Sequence, residues 1–336
     1  MKLPPLFNPS NDMALAANLK QYVPTRHIRQ MESDLQSLSR LWDEGPWGWS
    51  LAAKQHYLRM GIPESCLPGD AWLDEVRRLS SREFACRYYE ELMHAFSAAG
   101  PVPEHDGVPV RLLPCRARFL RTMEEVERLE FPPPTCAEYI FKAPWSASGR
   151  GNYVTPVLDG ETRRRIASIL HRQGGIVAEP YYMHKLLDFA LEFQISDAPS
   201  PHAAPVVKFL GYSLFETDRT GHYGGNLIAA QSDIRRRIPL PEPLLQSLIR
   251  YHQARLSRLP YRGPVGIDMM VLEAAPNASA LFLHPLVEIN FRMTMGLLAI
   301  LLHGKGMTAD CLLTPDRPQG FVCAIRDSKL CITFLP

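Results

Sequence analysis

The segment Phe141 to Asn152 begins with a lysine closing an apolar run. It continues through small residues, Ala143-Pro144-Trp145-Ser146-Ala147-Ser148-Gly149-Arg150-Gly151. Such a loop lets backbone N–H groups and the Ser146 and Ser148 hydroxyls come close to phosphate oxygens, because Gly149 and Gly151 present no side chain in the way. Lys142 adds a point charge. The order is not that of a Walker A loop, since G-x-x-x-x-G-K-[ST] is absent and the lysine precedes the glycines. A plain hairpin turn uses the same residue types, so this segment alone leaves both readings open.

Acidic groups stand in two other apolar runs, Gly266-Ile267-Asp268-Met269-Met270-Val271 and Leu286-Val287-Glu288-Ile289-Asn290-Phe291-Arg292. Spacing by two places Glu288, Asn290 and Arg292 on one face of a strand and Val287, Ile289 and Phe291 on the other. Two close carboxylates need a cation to coexist, and hard oxygen donors suit Mg²⁺ shared with nucleotide phosphates. A solvated strand face with an Arg–Glu pair is the bland alternative. A third run, Ile176-Val177-Ala178-Glu179-Pro180-Tyr181-Tyr182 followed by Asp188, offers backbone edges to an adenine and a carboxylate to a ribose. Lys208 is centred in Val206-Val207-Lys208-Phe209-Leu210, where a cation needs a partner or a ligand unless it is half exposed.

These residues need elements to hold them. Apolar spacing of three and four predicts helices before about Ala99, around Leu35 to Trp42 and from Phe84 to Phe96, with Ser80 or Ser81 as a cap. Gly100 to Gly107 reads as a linker. Beyond it, short strands are predicted over Tyr139–Lys142, Asn152–Val154, Gly175–Glu179, Phe189–Phe193, Val206–Leu210, Val265–Leu272 and Leu281–Asn290. Helices are predicted over Glu161–Arg172 and Pro243–Leu259, and the last segment, Gly320 to Leu335, closes the chain with strands. The architecture predicted is α+β, a mainly antiparallel sheet with helices on one side.

Taken in order, these pieces resemble the ATP-grasp superfamily. The resemblance covers about Ser80 to Arg292, and its most specific match is E-x-N-x-R at Glu288, Asn290 and Arg292. It implies two α+β subdomains gripping ATP, residues 101–175 and 176–336, behind a smaller N-terminal α/β domain, residues 1–100. Lys142, Ser146, Ser148, Gly149 and Gly151 would meet the phosphates, and Glu179, Tyr181 and Tyr182 the adenine, with Asp188 at the ribose. Asp268, Glu288 and Asn290 would hold Mg²⁺, with Mn²⁺ as the alternative metal. Arg82 stands where the family carries an earlier phosphate-binding lysine. The resemblance implies a ligase that activates a carboxylate as an acyl phosphate and joins it to an amine or a thiol. Lys208 would neutralise phosphate charge there, and Arg292 would stabilise an oxyanion. A kinase releasing a phosphorylated product and a non-catalytic nucleotide-binding protein are the alternatives.

Composition bounds the rest. The 336 residues are 46% hydrophobic and 21% charged, the profile of a globular protein of two or three domains. A formal net charge of +2 argues against a nucleic-acid or membrane surface built on bulk positive charge. The resemblance implies small-molecule or peptide carboxylates and amines as partners, with a homodimer as the oligomeric prior. Seven cysteines without C-x-x-C favour reduced, cytoplasmic thiols. No signal peptide or membrane span is expected, the longest apolar stretch being Gly296 to Leu302. The triple arginines at 163–165 and 235–237 read as solvated faces, and His284 and His303 as core or rim histidines. Phe7-Asn8-Pro9-Ser10-Asn11-Asp12 and Trp47-Gly48-Trp49 match no substrate signature.

Overall fold

Period-two apolar runs in the second half of the chain become long antiparallel strands. Each buries one row of side chains under helices and leaves the other row to line a cleft. The structure, a computed structural model, describes residues 2–42, 44–98, 104–114, 116–131, 137–146, 151–182, 184–200, 203–218, 221–273, 280–307, 320–326 and 329–335. The N-terminal part holds α1 (Asn11–Ala17), α2 (Arg26–Asp34), a 3-10 turn (Gln36–Leu41), α3 (Leu51–Arg59), α4 (Asp70–Leu79) and α5 (Arg82–Ser97). Ser81 caps α5, its side chain accepting from the Glu83 N–H.

The next stretch holds β1 (Val110–Leu112), β2 (Arg118–Leu120), α6 (Met123–Glu127), β3 (Tyr139–Lys142), β4 (Asn152–Thr155), α7 (Gly160–Gln173) and β5 (Ile176–Pro180). Long strands follow, β6 (Lys185–Ser196) and β7 (Val206–Thr217), then β8 (Tyr223–Leu227), α8 (Gln231–Arg237) and α9 (Glu242–Leu256). The chain ends with β9 (Gly263–Glu273), β10 (Leu281–Asn290), α10 (Met295–Gly304), β11 (Gly320–Arg326) and β12 (Lys329–Leu335). No helix among the described residues is long and apolar enough to cross a membrane.

Two sheets result. One has eight strands in the order β1-β10-β9-β6-β7-β8-β12-β11, and the other four in the order β2-β5-β3-β4. Apart from the parallel pair β1 and β10, all pairings are antiparallel. Phe189, Leu191 and Phe193 of β6, Ile267 and Met269 of β9, and Ile289 pack with Tyr88 and Leu92 of α5 and Leu245 and Leu248 of α9. A second core joins Phe7, Leu35, Leu38 and Trp47 to Leu297, Leu298 and Leu302 of α10 and to β11. A third fills the small sheet under α7, around Phe141, Ile166 and Ile176.

Two sequence expectations change. The N-terminal α/β domain implied by the resemblance is instead helical among the described residues, with only an isolated bridge between Leu6 and Pro46. Its apolar residues are spent on cores shared with the large sheet, which leaves none to cover a sheet of its own. Tyr223 to Leu227, over which no strand is predicted, is the strand β8, paired with β7 and β12.

Candidate nucleotide and metal site

Register decides which side chains meet. Asp268 of β9 lies opposite Glu288 of β10 and Ala190 of β6, while Gly266 lies opposite Asn290 and Glu192. The period of two then puts Asp188, Glu192, Asp268, Glu288 and Asn290 on the sheet face away from the α5–α9 core. Ile289 and Phe291 enter that core as expected. Val287 does not: the register is irregular between His284 and Glu288, and Val287 lines the cleft instead.

Between the two sheets this face opens into a cleft of about 450 Å³. It is lined by Arg82, Lys142, Glu179, Tyr181, Tyr182, Asp188, Asp268 and Glu288, all named from the sequence. Lys185, Asn152, Phe215, Thr217 and Met270 line it as well. Ser146 is in an adjoining recess with Asp12, Glu288 and Asn290. Gly151, at φ 140°, has space for a Cβ only 3.1 Å from Ser146 Cβ, so a glycine is what lets β4 leave that turn. Ser148 and Gly149 lie outside the described residues.

Each cation facing the cleft is held by an acid. Lys142 Nζ donates to Glu179 Oε2 at 2.5 Å, and His284 Nε2 is 2.5 Å from Glu179 Oε1. Burial would raise the Glu179 carboxyl, but the charges and hydrogen bonds of Lys142 and His284 outweigh it and hold it well below the usual carboxylate range. The side chain expected at an adenine therefore fastens Lys142, leaving backbone edges to face a base. Arg82 Nη1 donates to Ala143 O at 2.6 Å and Ser146 Oγ at 2.8 Å, and its Nη2 is 2.8 Å from Glu288 Oε1. Lys185 Nζ donates to Asp188 Oδ2 at 2.6 Å and to Thr217 Oγ1 at 2.5 Å.

The acids opposite are crowded. Burial, then the nearby charges of Glu288 and Glu192, push the Asp268 carboxyl well above its ordinary value, despite Arg292 and a 3.1 Å hydrogen bond from Asn290 Nδ2. Arg292 is committed to Asp12 of α1, its Nε 3.0 Å from both carboxylate oxygens and its Nη2 2.8 Å from Oδ2. Among the described residues no three His, Cys, Asp or Glu side chains cluster as a metal site. The set is two carboxylates and an amide. Its oxygen chemistry and the strained ionisation of Asp268 fit a hard divalent cation whose remaining ligands come from a bound anion.

Lys208 needs correction. It is exposed, near the end of β7 opposite Phe215 and Thr217, roughly 25 Å along the strand from the cleft. Its neighbours alternate across the strand, Val207 and Phe209 partly buried and Val206 on the exposed face with it. The cleft cation that the sequence reading passed over is Lys185. A Lys–Asp spacing of three puts the pair on opposite strand faces, but the register irregularity between Lys185 and Leu187 turns Lys185 toward Asp188. His284 was legible only as a buried histidine, and Asp12 carried no signal, since its partner Arg292 is 280 residues away.

No family model matches the chain, and no curated protein sequence does. Similar solved structures include N5-carboxyaminoimidazole synthetase from Staphylococcus aureus complexed with ADP, at 12% identity over 67% of this chain and 52% of that one, with a TM-score of 0.37. D-alanyl-alanine synthetase A from Vibrio cholerae is similar at 13% identity over 70% and 62% of the two chains, with a TM-score of 0.44. Biotin carboxylase from Campylobacter jejuni is similar at 15% identity over 70% and 48%, with a TM-score of 0.41. This chain thus spans about half to three fifths of the length of these proteins.

Proposed function

We propose that this chain is an ATP-dependent ligase of the ATP-grasp kind, which activates a carboxylate as an acyl phosphate for capture by an amine or other nucleophile. One observation carries the reading: Asp268 and Glu288 are directly opposed across β9 and β10, on a cleft that also holds Lys142, Arg82 and Lys185. Acids and cations gathered at one cleft suit a polyphosphate with its metal better than they suit an apolar ligand.

Asp268, Glu288 and Asn290 would hold Mg²⁺, which when bound supplies neutralisation of phosphate charge. Lys142, fixed by Glu179, presents a positioned ammonium, and phosphoryl transfer asks mainly for positioning and charge. Arg82 ties Ala143 and Ser146, just after β3, to Glu288. Tyr181 and Tyr182, with the backbone of β5, form the wall suited to an adenine, and Asp188 suits a ribose. Arg292 has N–H groups beyond those used by Asp12 and Met293, and these would be the donors to the oxyanion of an intermediate.

The test is Asp268→Asn. Removing a crowded charge leaves the fold as stable or more so, while Mg²⁺-dependent ADP release in a screen of small acids and amines falls by about a hundredfold or more. Unchanged turnover would overturn the reading. Product mass separates a condensed product, expected here, from a stable phosphorylated one, which would assign a kinase.

A further inference from the structure

The ring of His284 is buried, 2% exposed, and makes one hydrogen bond among the described residues, to Glu179. His284 stands on β10, opposite Met270 of β9 and one turn of sequence before Glu288. Glu179 stands on β5, opposite Ile140 of β3. The contact therefore crosses from the eight-stranded sheet to the four-stranded one. The ring lies against Tyr89 of α5, centroids 5.0 Å apart, and against Tyr182 of the cleft wall at 6.2 Å.

Packing alone would suit a leucine there. An imidazole is costly filler, because its Nδ1 has no hydrogen-bond partner among the described residues, and a buried polar atom left unpaired loses its hydration for nothing. What the histidine adds over an apolar side chain is the bond from Nε2 to Glu179 Oε1, at 2.5 Å. Glu179 Oε2 accepts at the same time from Lys142 Nζ, also at 2.5 Å. The carboxylate is thus divided, one oxygen to each partner. Together the two partners outweigh burial and hold the Glu179 carboxyl well below the usual carboxylate range. An ammonium carries three hydrogens, and among the described residues Lys142 spends one, on Glu179. Lys142 lines the cleft, so the others are left for an anion there.

We propose that His284 is the positioning residue of Lys142: by occupying Oε1 it confines the ammonium to Oε2 and keeps its remaining hydrogens for the phosphates of a nucleotide in the cleft. Without that bond the buried Oε1 needs another donor, and the ammonium already held at Oε2 is at hand. Drawn onto both oxygens, Lys142 has less to give a phosphate. This role rests on the nucleotide reading of the cleft and goes beyond it. His284 does not line that cleft, so it acts through Glu179.

The experiment is calorimetric binding of Mg-ATP to the full chain and its variants, with the thermal midpoint of each. His284→Leu, which keeps the bulk and removes the donor, weakens Mg-ATP by about tenfold or more. His284→Gln, whose amide offers an N–H where Nε2 stood, stays within about twofold of the parent. On a Lys142→Met background, His284→Leu brings no further loss, because the group it positions is gone. Full affinity in His284→Leu overturns the role, as does an equal loss in the leucine and glutamine variants. A loss that persists undiminished on the Lys142→Met background overturns it too, since His284 would then act by packing. A parent chain that binds no Mg-ATP would overturn the nucleotide reading and this role with it, whereas a parent that binds beside an unaffected His284→Leu sinks the role alone.

Discussion

Glu192 is a carboxyl 1% exposed, enclosed by Thr294 Oγ1, which donates to Oε1 at 2.8 Å, and Ser213 Oγ, which donates at 3.1 Å. Its Oε2 has no hydrogen-bond partner among the described residues. Burial pushes it up to about 7, and the two hydroxyls and Arg292 offset this only in part. The sign follows from linkage: a carboxyl raised above its unfolded value of 4.5 favours the fold while protonated, so stability is full below that value and is lost as pH rises through 7. The loss is about 3 kcal/mol. Glu192→Gln, which keeps the shape without the charge, should remove this dependence, so that the urea midpoint of the variant exceeds that of the parent at pH 8 and the gap closes toward pH 5. Parallel pH profiles would refute the assignment. At this scale the sequence was partly legible. Lys142 and Glu179 stood out as charges in apolar runs, but that they neutralise each other depends on β3 and β5 being neighbours in the small sheet, which local pattern does not encode.

Long strands and amphipathic helices were legible because periodicity reports burial on one face. The strands read at Tyr139–Lys142 and Leu281–Asn290 coincide with β3 and β10, and the helix read from Phe84 lies within α5. Short edge elements such as β1 and β2, three residues each, carry too few residues for a period to show. α10 escaped for the opposite reason: Gly296 to Leu302 is apolar on every side, and most of it is buried. That helix yields a prediction whose sign ordinary propensity gets wrong. Alanine normally stabilises a helix by about 0.5–1 kcal/mol over glycine. Here a Cβ on Gly296 would lie 2.2 Å from Ser213 Oγ, 2.6 Å from Ser213 Cβ and 2.3 Å from Glu192 Oε1, on two buried side chains that are hydrogen-bonded to each other and so cannot readily retreat. Gly296→Ala should therefore destabilise by about 1–3 kcal/mol in chemical denaturation. A raised midpoint would show that α10 sits farther from β6 and β7 than these contacts require.

Over the whole molecule, strand order was the least legible feature. β6 pairs with β9 across two intervening strands, and β1 pairs in parallel with β10, choices made by the complete core and not by any segment. The same non-locality explains why Asp12 was unreadable and why it matters. Through Arg292 it joins the first helix to the end of β10, beside the acids of the cleft. Arg292 is raised above its ordinary value because Asp12, Glu288 and Asp268 together outweigh its burial. Asp12→Asn should thus cost about 2 kcal/mol, less than a fully enclosed pair loses, because Glu288 and Asp268 continue to balance the guanidinium. Arg292→Met should cost more, since it leaves three acids facing one another. The double variant should fall short of the sum by about 1 kcal/mol or more, the coupling expected of groups in direct contact. Strict additivity in denaturant midpoints would mean that the N-terminal helices are held by their apolar cores alone and that the Asp12–Arg292 contact joins the two ends of the chain without stabilising them.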